Sequence, residues 1–561
     1  MDGDRGTGAV LVLGAGIHGM AIARELVLNG VNVVLVDRED LASGATSKSS
    51  RLIHGGLRYL EYGDVGLVRE SLAERRINLD LAPNFVQPLR LFIPLSEAWT
   101  GLLPSAVGFF GLQRTKLGKW LAPSPKSRGY WPVRLGLSLY DWLARDDALP
   151  PSAGVALHDP AAPRVDAVRY RSMIAYSDAQ MRYPERVVLA LLADAEQIAR
   201  ESQASLKVAT YAQYRREGAD WYVESPRWDA PLRFLPALIV NASGANGDVA
   251  LQSIGATSPP LFGGTKGSHI LTWHPQLIQA LNGRAVYAEA ADGRPVFTLP
   301  FGDGVLIGTT DEAYSGRPEE AVATEVEIEY LLGMVRCVFG IIVRREDVAA
   351  HYSGVRPLPR SATASNAAIS RDHSLQWSHA HGVPILTLVG GKLTTWRAFA
   401  EEAVHHVLGK LGRPRLQDTR RRKVPGNDPL PSGFDLDRMF HVWAQEGETT
   451  AEEVAALLPL LGTRVAEVLG AVRFEPRQAI ADTPISTRVV RWMIRNEHVV
   501  GLDDLVERRL LTVFQKSLSI QQLHDLAQCL VETGWLAGTQ TADVVVTSAA
   551  RLRRYYGRRL A

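Results

Sequence analysis

The sequence predicts an α/β protein in three parts: a discontinuous domain on a parallel sheet, an inserted α+β domain, and an all-α C-terminal domain. Three observations carry this expectation. Apolar, strand-like runs end in glycine turns at three distant places, around Gly14, Gly244 and Gly390. Residues 286–297 and 304–309 alternate between apolar and polar, as antiparallel strands do. Past the linker region strand signals fade, and 489–497 and 520–532 carry helical spacing. The 561 residues are too many for one core. The expected division puts 1–85, 150–255 and 355–411 in the discontinuous domain and 86–149 with 256–354 in the inserted one. A linker rich in Pro, Gly and Arg then spans 412–434, and 435–561 form the helical domain.

The first unit reads as strand 9–13, turn, helix 20–29 and strand 31–36, ending at Asp37. Its turn is Gly14-Ala15-Gly16-Ile17-His18-Gly19. Gly14 permits the tight bend, Gly16 lets backbone approach a pyrophosphate, and Gly19 lets the helix pack on the strand. The helix start places about half a unit of positive charge toward phosphates. Asp37, with Arg38 beside it, is positioned to accept hydrogen bonds from a ribose. This Rossmann-like unit predicts a dinucleotide, and alone it fits NAD or FAD.

The later segments favour FAD. Ser43, Gly44, Thr46, Ser47, Ser49 and Ser50 offer hydroxyl and backbone donors along an extended cofactor, and Leu52 and His54 continue that stretch. Gly244 closes the second apolar run. Gly390, Gly391, Lys392, Leu393 and Thr394 close the third at a helix start, where N–H groups reach the flavin end. Lys392 is placed there to stabilise negative charge on a reduced ring.

Bulk properties narrow the function. Net charge is +2, from 62 basic and 60 acidic residues, which argues against a nucleic-acid partner. The two cysteines, Cys337 and Cys529, are far apart, so no metal site or disulfide is expected and a reducing compartment fits. Residues 1–7 are polar or charged, unlike a secretory signal. No run reaches the roughly 18 apolar residues of a membrane span. The expectation is a cytoplasmic protein, soluble or peripheral on the cytoplasmic face of a membrane. Residues 101–131 interleave Phe109, Phe110, Trp120 and Trp131 with cations; they read first as a loop and helix packed on the inserted domain, and otherwise as a membrane contact. The basic run 551–559 is another, although it reads more simply as a solvated helix end.

Further motifs follow in order. They are Asp40-Leu41-Ala42-Ser43-Gly44, Ser50-Arg51-Leu52-Ile53-His54-Gly55-Gly56-Leu57-Arg58-Tyr59, Lys266-Gly267-Ser268-His269, Ile307-Gly308-Thr309-Thr310-Asp311, Tyr352-Ser353-Gly354-Val355-Arg356-Pro357 and Ser370-Arg371-Asp372-His373. With the glycine turns, these resemble the FAD-dependent, membrane-associated aerobic glycerol-3-phosphate dehydrogenases over about residues 9–410. The resemblance implies oxidation of sn-glycerol 3-phosphate to dihydroxyacetone phosphate by hydride transfer to FAD, with a quinone as electron acceptor. It places Arg58, Tyr59, His269, Arg356, Arg371 and Lys392 near substrate. His54 is the candidate to take the hydroxyl proton, because imidazole titrates near neutrality. Arg356 is the competing catalytic candidate, stabilising the developing alkoxide. Guanidiniums suit a phosphate dianion, since charge-assisted hydrogen bonds contribute about 1.5–3 kcal/mol each.

The chain departs from the family pattern in places. Asp37 stands where glutamate is usual, and Ser243 where threonine is. Residues 181–185 lack the usual acidic pair, which would alter substrate preference if that helix start shapes the pocket. Other readings stay open: an oxygen-using oxidase of the same ester, a related enzyme acting on another hydroxy acid or amine, and a non-catalytic FAD-binding protein. A homodimer is also left open.

Overall fold

The structure is a computed structural model, and it describes residues 6–61, 64–96, 129–146, 148–290, 293–360 and 373–560. Most of the 101–131 segment and Arg371 lie outside the described residues, as does the side chain of Arg58.

Two sheets organise the chain. The first has eight strands. At its centre Gly6–Leu13 pairs in parallel with Val33–Val36 on one side and Leu232–Asn241 on the other. Val383–Val389 continues the parallel order beyond Leu232–Asn241, and Leu206–Ala209 beyond Val33–Val36. These strands are apolar on both faces because helices or further strands cover both. Val10 and Val12 pack among the helices Ile17–Leu28, Pro184–Glu201 and Trp396–Leu411, while Leu11 and Leu13 face a second cluster with Trp221 and Phe234.

The second sheet has ten strands and is mostly antiparallel. The expected strand at 286–297 is split into two paired strands, Ala285–Glu289 and Pro295–Phe301, the second of which pairs with Gly304–Gly308; Phe262–Thr272 and Val348–Pro359 also belong to this sheet. Alternation separates its faces. Ile270, Val286, Val305 and Ile307 pack on the helices Pro275–Leu281 and Glu325–Phe339. Leu271, Tyr287, Leu306 and Tyr352 point the other way, into an apolar cluster shared with the C-terminal helices. All three parts of the expected discontinuous domain contribute to this second sheet, the first through Leu52–Ile53, which pairs with Ser172–Met181. Ser172–Met181 pairs along its whole length with Val86–Leu95, and Val348–Pro359 crosses residue 355. The reason is long-range pairing, which local composition does not report.

The 412–434 stretch is bound along its length. Arg422 and Arg24 share Asp194, Arg415 reaches Glu25 at 2.7 Å, and Asn29 accepts from the backbone of Leu416 and Gln417. Beyond it, one stretch among the described residues, Ala451–Val472, is long and apolar enough to cross a membrane. Its Val454, Leu457, Leu461, Val465 and Leu469 are buried in the core of the helical region.

That region docks on the first sheet through buried ion pairs. Arg509 grips Asp40 with both ends of its fork at 2.5 and 2.7 Å, and Arg508 donates to the same carboxylate. Both arginines come from one π-helical turn, Leu505–Arg509. Nearby, Arg186 makes a two-point contact with Glu497 at 2.7 and 2.8 Å. Burial pushes the Asp40 carboxyl up, but Arg509 and Arg508 outweigh burial and hold it below the ordinary 3.8. Asp40→Ala leaves the buried Arg509 guanidinium without a carboxylate and takes one of three from Arg508, which keeps Glu507 and Asp504, so urea denaturation at neutral pH is expected to show a loss of about 3–5 kcal/mol. The parent's contribution is complete above 3.8 and is lost as the pH falls below it, because the folded carboxyl is depressed. A variant as stable as the parent at neutral pH refutes the role.

Candidate active site

Parallel register brings the glycine turns together. Leu13 lies opposite Val36 and Asn241, and Asn241 opposite Thr387, so these strands end at one edge. Gly14, Asp37, Ala242, Ser243, Gly244 and Gly390 open from that edge into a cavity of about 1290 Å³. Gly14 has φ of +100°, and a Cβ there would come within 2.6 Å of the Ala242 carbonyl. Thr46 Oγ1 accepts from the Ile17 amide at 3.1 Å. Asp37 receives the amides of Ala15 at 2.7 Å and Glu39 at 2.9 Å. Burial raises its carboxyl to about 6, against the pull of those two amides. Arg38 reaches across to Glu319 at 2.8 Å.

Along the middle of the cavity run Ser43, Gly44, Thr46, Ser49, Ser50 and Leu52. The loop is anchored from below by Arg51, which is fully buried and forks onto Glu185 at 2.7 and 3.0 Å. Within 181–185, Glu185 serves Arg51, and none of 181–186 is among the lining residues. Ser50 Oγ lies 2.9 Å from His269 Nε2, and the His269 ring stacks on Tyr352 at 4.8 Å. Burial, then Arg356 and Arg51, lower His269 to about 3, so its imidazole is neutral at neutral pH. His18 is likewise held near 4, chiefly by burial and then by His373. Gly391, with φ of +100°, leaves room for that ring, since a Cβ would meet it at 2.9 Å.

At the far end His54, Tyr59, Arg356, Lys392, Leu393 and Thr394 line the cavity with Tyr176, Asp178, Tyr287 and Phe297. Thr394 Oγ1 accepts from the His54 amide at 3.1 Å, joining two segments 340 residues apart. Arg356 is anchored by Asp311 at 2.9 Å, by the Thr310 carbonyl at 3.1 Å and by Thr309 Oγ1 at 3.2 Å. Lys392 Nζ sits 4.1 Å above the Tyr59 ring and 3.4 Å from Ser71 Oγ.

Three expected cofactor contacts fall behind the wall. Ala15 is buried, with its amide turned to Asp37. A Cβ on Gly19 would come within 1.8 Å of the Gly14 carbonyl, so this glycine serves helix packing. Ser47 Oγ turns inward to the carbonyls of Ser43 and Gly44. The basic C-terminal run is also more than a solvated helix end. Leu552 and Tyr556 are buried, Arg551 pairs with Glu507 at 2.7 Å, and Arg551 and Tyr555 line the cavity. Sequence reasoning missed Lys48, half-buried on the cavity wall with its Nζ 3.8 Å from the Tyr556 ring centre and lowered to about 7 by burial, with Glu507 opposing. It also missed Asp311 as the anchor of Arg356, although the motif containing it was in view.

These residues fit FAD: an elongated cavity meets a helix start at side-chain-free Gly14 and Gly16, a ribose-type acid and two further glycine turns. The family model described as FAD dependent oxidoreductase matches residues 9–397. A glycerol-3-phosphate dehydrogenase of Synechocystis is 30% identical over 94% of this chain and 93% of its own length. The chain belongs to the FAD-dependent glycerol-3-phosphate dehydrogenase family. A D-erythritol 1-phosphate dehydrogenase of Brucella abortus is 32% identical over 89% of this chain and 93% of its own length. The solved glycerol-3-phosphate dehydrogenase of Bacillus halodurans, complexed with FAD, shares the fold with a TM-score of 0.71 at 19% identity, covering 98% of this chain and 95% of that one. The protein is thus an FAD-dependent oxidoreductase, and its fold is that of its family.

Proposed function

We propose that this family member oxidises the C2 alcohol of sn-glycerol 3-phosphate to dihydroxyacetone phosphate and passes the electrons to a quinone. The observation that carries the reading is Arg356, fixed by Asp311 and two threonine positions, in one cavity with Lys392, His54 and a neutral His269. Bound FAD supplies the two-electron acceptor for the C2 hydride. Asp37 and Arg38 hold the adenosine end, and Gly14, Gly16, Ile17 and His18 the pyrophosphate. Ser43, Gly44, Thr46, Ser49, Ser50 and Leu52 follow the chain, Gly244 belongs with the turn packed on Gly14, and Gly390, Gly391, Lys392, Leu393 and Thr394 border the flavin end. As the C2–H bond breaks, the hydroxyl proton leaves toward His54 and the oxygen becomes the carbonyl. Arg356 needs no reorganisation to meet the negative charge growing on that oxygen. His269, lowered to about 3, is a poor proton acceptor and serves as a neutral hydrogen-bonding wall. Arg58, Arg371 and Lys392 are assigned to the phosphate, the first two from sequence alone.

A second reading, a longer polyol phosphate, is favoured by the relative named for D-erythritol 1-phosphate. A quinone acceptor implies a place at the cytoplasmic face of a membrane. The helix Tyr130–Ala144, next along the chain after 101–128, exposes Trp131, Leu135 and Trp142, which supports contact there.

Arg356→Ala is expected to keep FAD and to lose about 10²–10³ in turnover, assayed as dihydroxyacetone phosphate formed with a water-soluble quinone in deaerated buffer. Parental turnover in the variant sinks the assignment, and parental enzyme that turns over only with air is an oxidase. Replacing Trp131 and Trp142 by serine is expected to reduce co-sedimentation with anionic lipid vesicles while turnover with the soluble quinone persists. Unchanged co-sedimentation excludes this helix as the contact.

A further inference from the structure

Asp178 lies on the strand Ser172–Met181, is 2% exposed, and lines the cavity beside the His54 loop. Its two oxygens are used unequally. Oδ1 accepts the Tyr140 hydroxyl at 2.6 Å, the Arg75 guanidinium at 2.8 Å and the Gly55 amide at 3.2 Å. Oδ2 receives no donor among the described residues. The surroundings are rigid. The Tyr140 hydroxyl itself accepts from the Gly55 amide at 2.9 Å, and a Cβ on Gly55 would come within 2.4 Å of that hydroxyl. Arg75 is buried and bridges onward to Asp146 at 3.1 Å. A buried carboxylate oxygen on a cavity wall costs free energy unless something donates to it. Here Tyr176, Leu91, Tyr287 and Phe297 supply the neighbouring lining, which is largely apolar.

We propose that Asp178 Oδ2 accepts a hydroxyl of the substrate, on the carbon that flanks the reacting carbon on the side away from the phosphate. Asp178 is then a specificity-determining residue that selects polyol phosphates over phosphate esters ending in a methyl group. Two features support this assignment. Oδ1 is already saturated by a hydroxyl, a guanidinium and the amide next to His54, which places Oδ2 within a residue of the proposed proton acceptor. The negative charge also repels a phosphate dianion, so the ester is oriented with its hydroxyl end at Asp178 and its phosphate toward the cations. The same contact serves a three-carbon or a four-carbon polyol phosphate, since both carry a hydroxyl on that flanking carbon. The inference rests on the phosphorylated-alcohol reading above.

The test compares sn-glycerol 3-phosphate with the matching enantiomer of propane-1,2-diol 1-phosphate, which lacks only that hydroxyl, on the FAD-loaded protein. The parent is expected to prefer the hydroxylated ester in kcat/KM by at least the roughly 10- to 150-fold of one hydrogen bond to a charged group. Asp178→Asn, isosteric but with altered acceptor capacity, is expected to narrow that preference by a similar factor. A purely structural role through Tyr140 and Gly55 predicts equal losses on both esters, and that result overturns the proposal. Should the variant fail to retain FAD, the parent alone decides, because a parental preference below about threefold is too small for such a bond. A parental flavin that neither ester reduces overturns the phosphorylated-alcohol reading and this inference together, and so differs visibly from failure of the inference alone.

Discussion

The cavity edge into which the three glycine turns open depends on the parallel register of four strands. Leu13, Val36, Asn241 and Thr387 end at one level, although they span most of the chain. A parallel strand exposes its next residues at the same edge as its neighbours, so turns from unrelated parts of the sequence converge there. Shifting one of these strands by a residue would turn its apolar side chains to the wrong faces and withdraw a turn from the cavity. The tight packing of Gly14 and Gly19 against Ala242 and each other locks that register where the first helix begins.

Buried arginine–carboxylate pairs hold the remaining parts on this edge. Arg51 with Glu185 fixes the His54 loop, Arg75 with Asp178 braces it from the second sheet, and Arg397 with Glu74 ties the helices behind it. Asp40 with Arg508 and Arg509, and Arg186 with Glu497, attach the C-terminal helices. Such pairs add little net stability compared with apolar packing, yet each is costly to break on one side only. Their effect is geometric: they allow one arrangement of the loop relative to the sheets. The C-terminal helix completes the enclosure, with Tyr555 and Arg551 on the cavity wall and Tyr556 donating to Glu507 at 2.9 Å.

Much of the fold was legible in the sequence because its signals are local. The apolar run before Gly14, the helix after it and the acid at 37 lie within one short unit, and the alternation at 286–297 and 304–309 reports antiparallel strands, though not the turn that splits the first stretch. The lining residues His54, Tyr59, Lys392 and Thr394 were found because each sits in or beside a glycine turn. What stayed hidden is contact between distant elements. Tyr140 reaches Asp178 across 38 residues and Lys48 reaches Tyr556 across 508, and neither pair leaves a periodicity or spacing to read. The partner of Glu185 stayed hidden for the same reason. Once the partner of Glu185 is known to be Arg51, that helix start has a structural task behind the wall.

Under the proposed reading the site is preorganised: the hydride would leave C2 for bound FAD, and the proton would leave the C2 hydroxyl toward His54. One end of the cavity is built by backbone at glycine turns, and the other by side chains whose own partners immobilise them: Asp311 behind Arg356, Tyr140 and Arg75 behind Asp178, and Thr394 behind the His54 loop. The most direct measurement is anaerobic mixing of the FAD-loaded protein with sn-glycerol 3-phosphate while the visible flavin band is followed. The account predicts rapid loss of that band with one dihydroxyacetone phosphate formed per flavin. A band unchanged by this ester but bleached by an amine or an unphosphorylated hydroxy acid would contradict it.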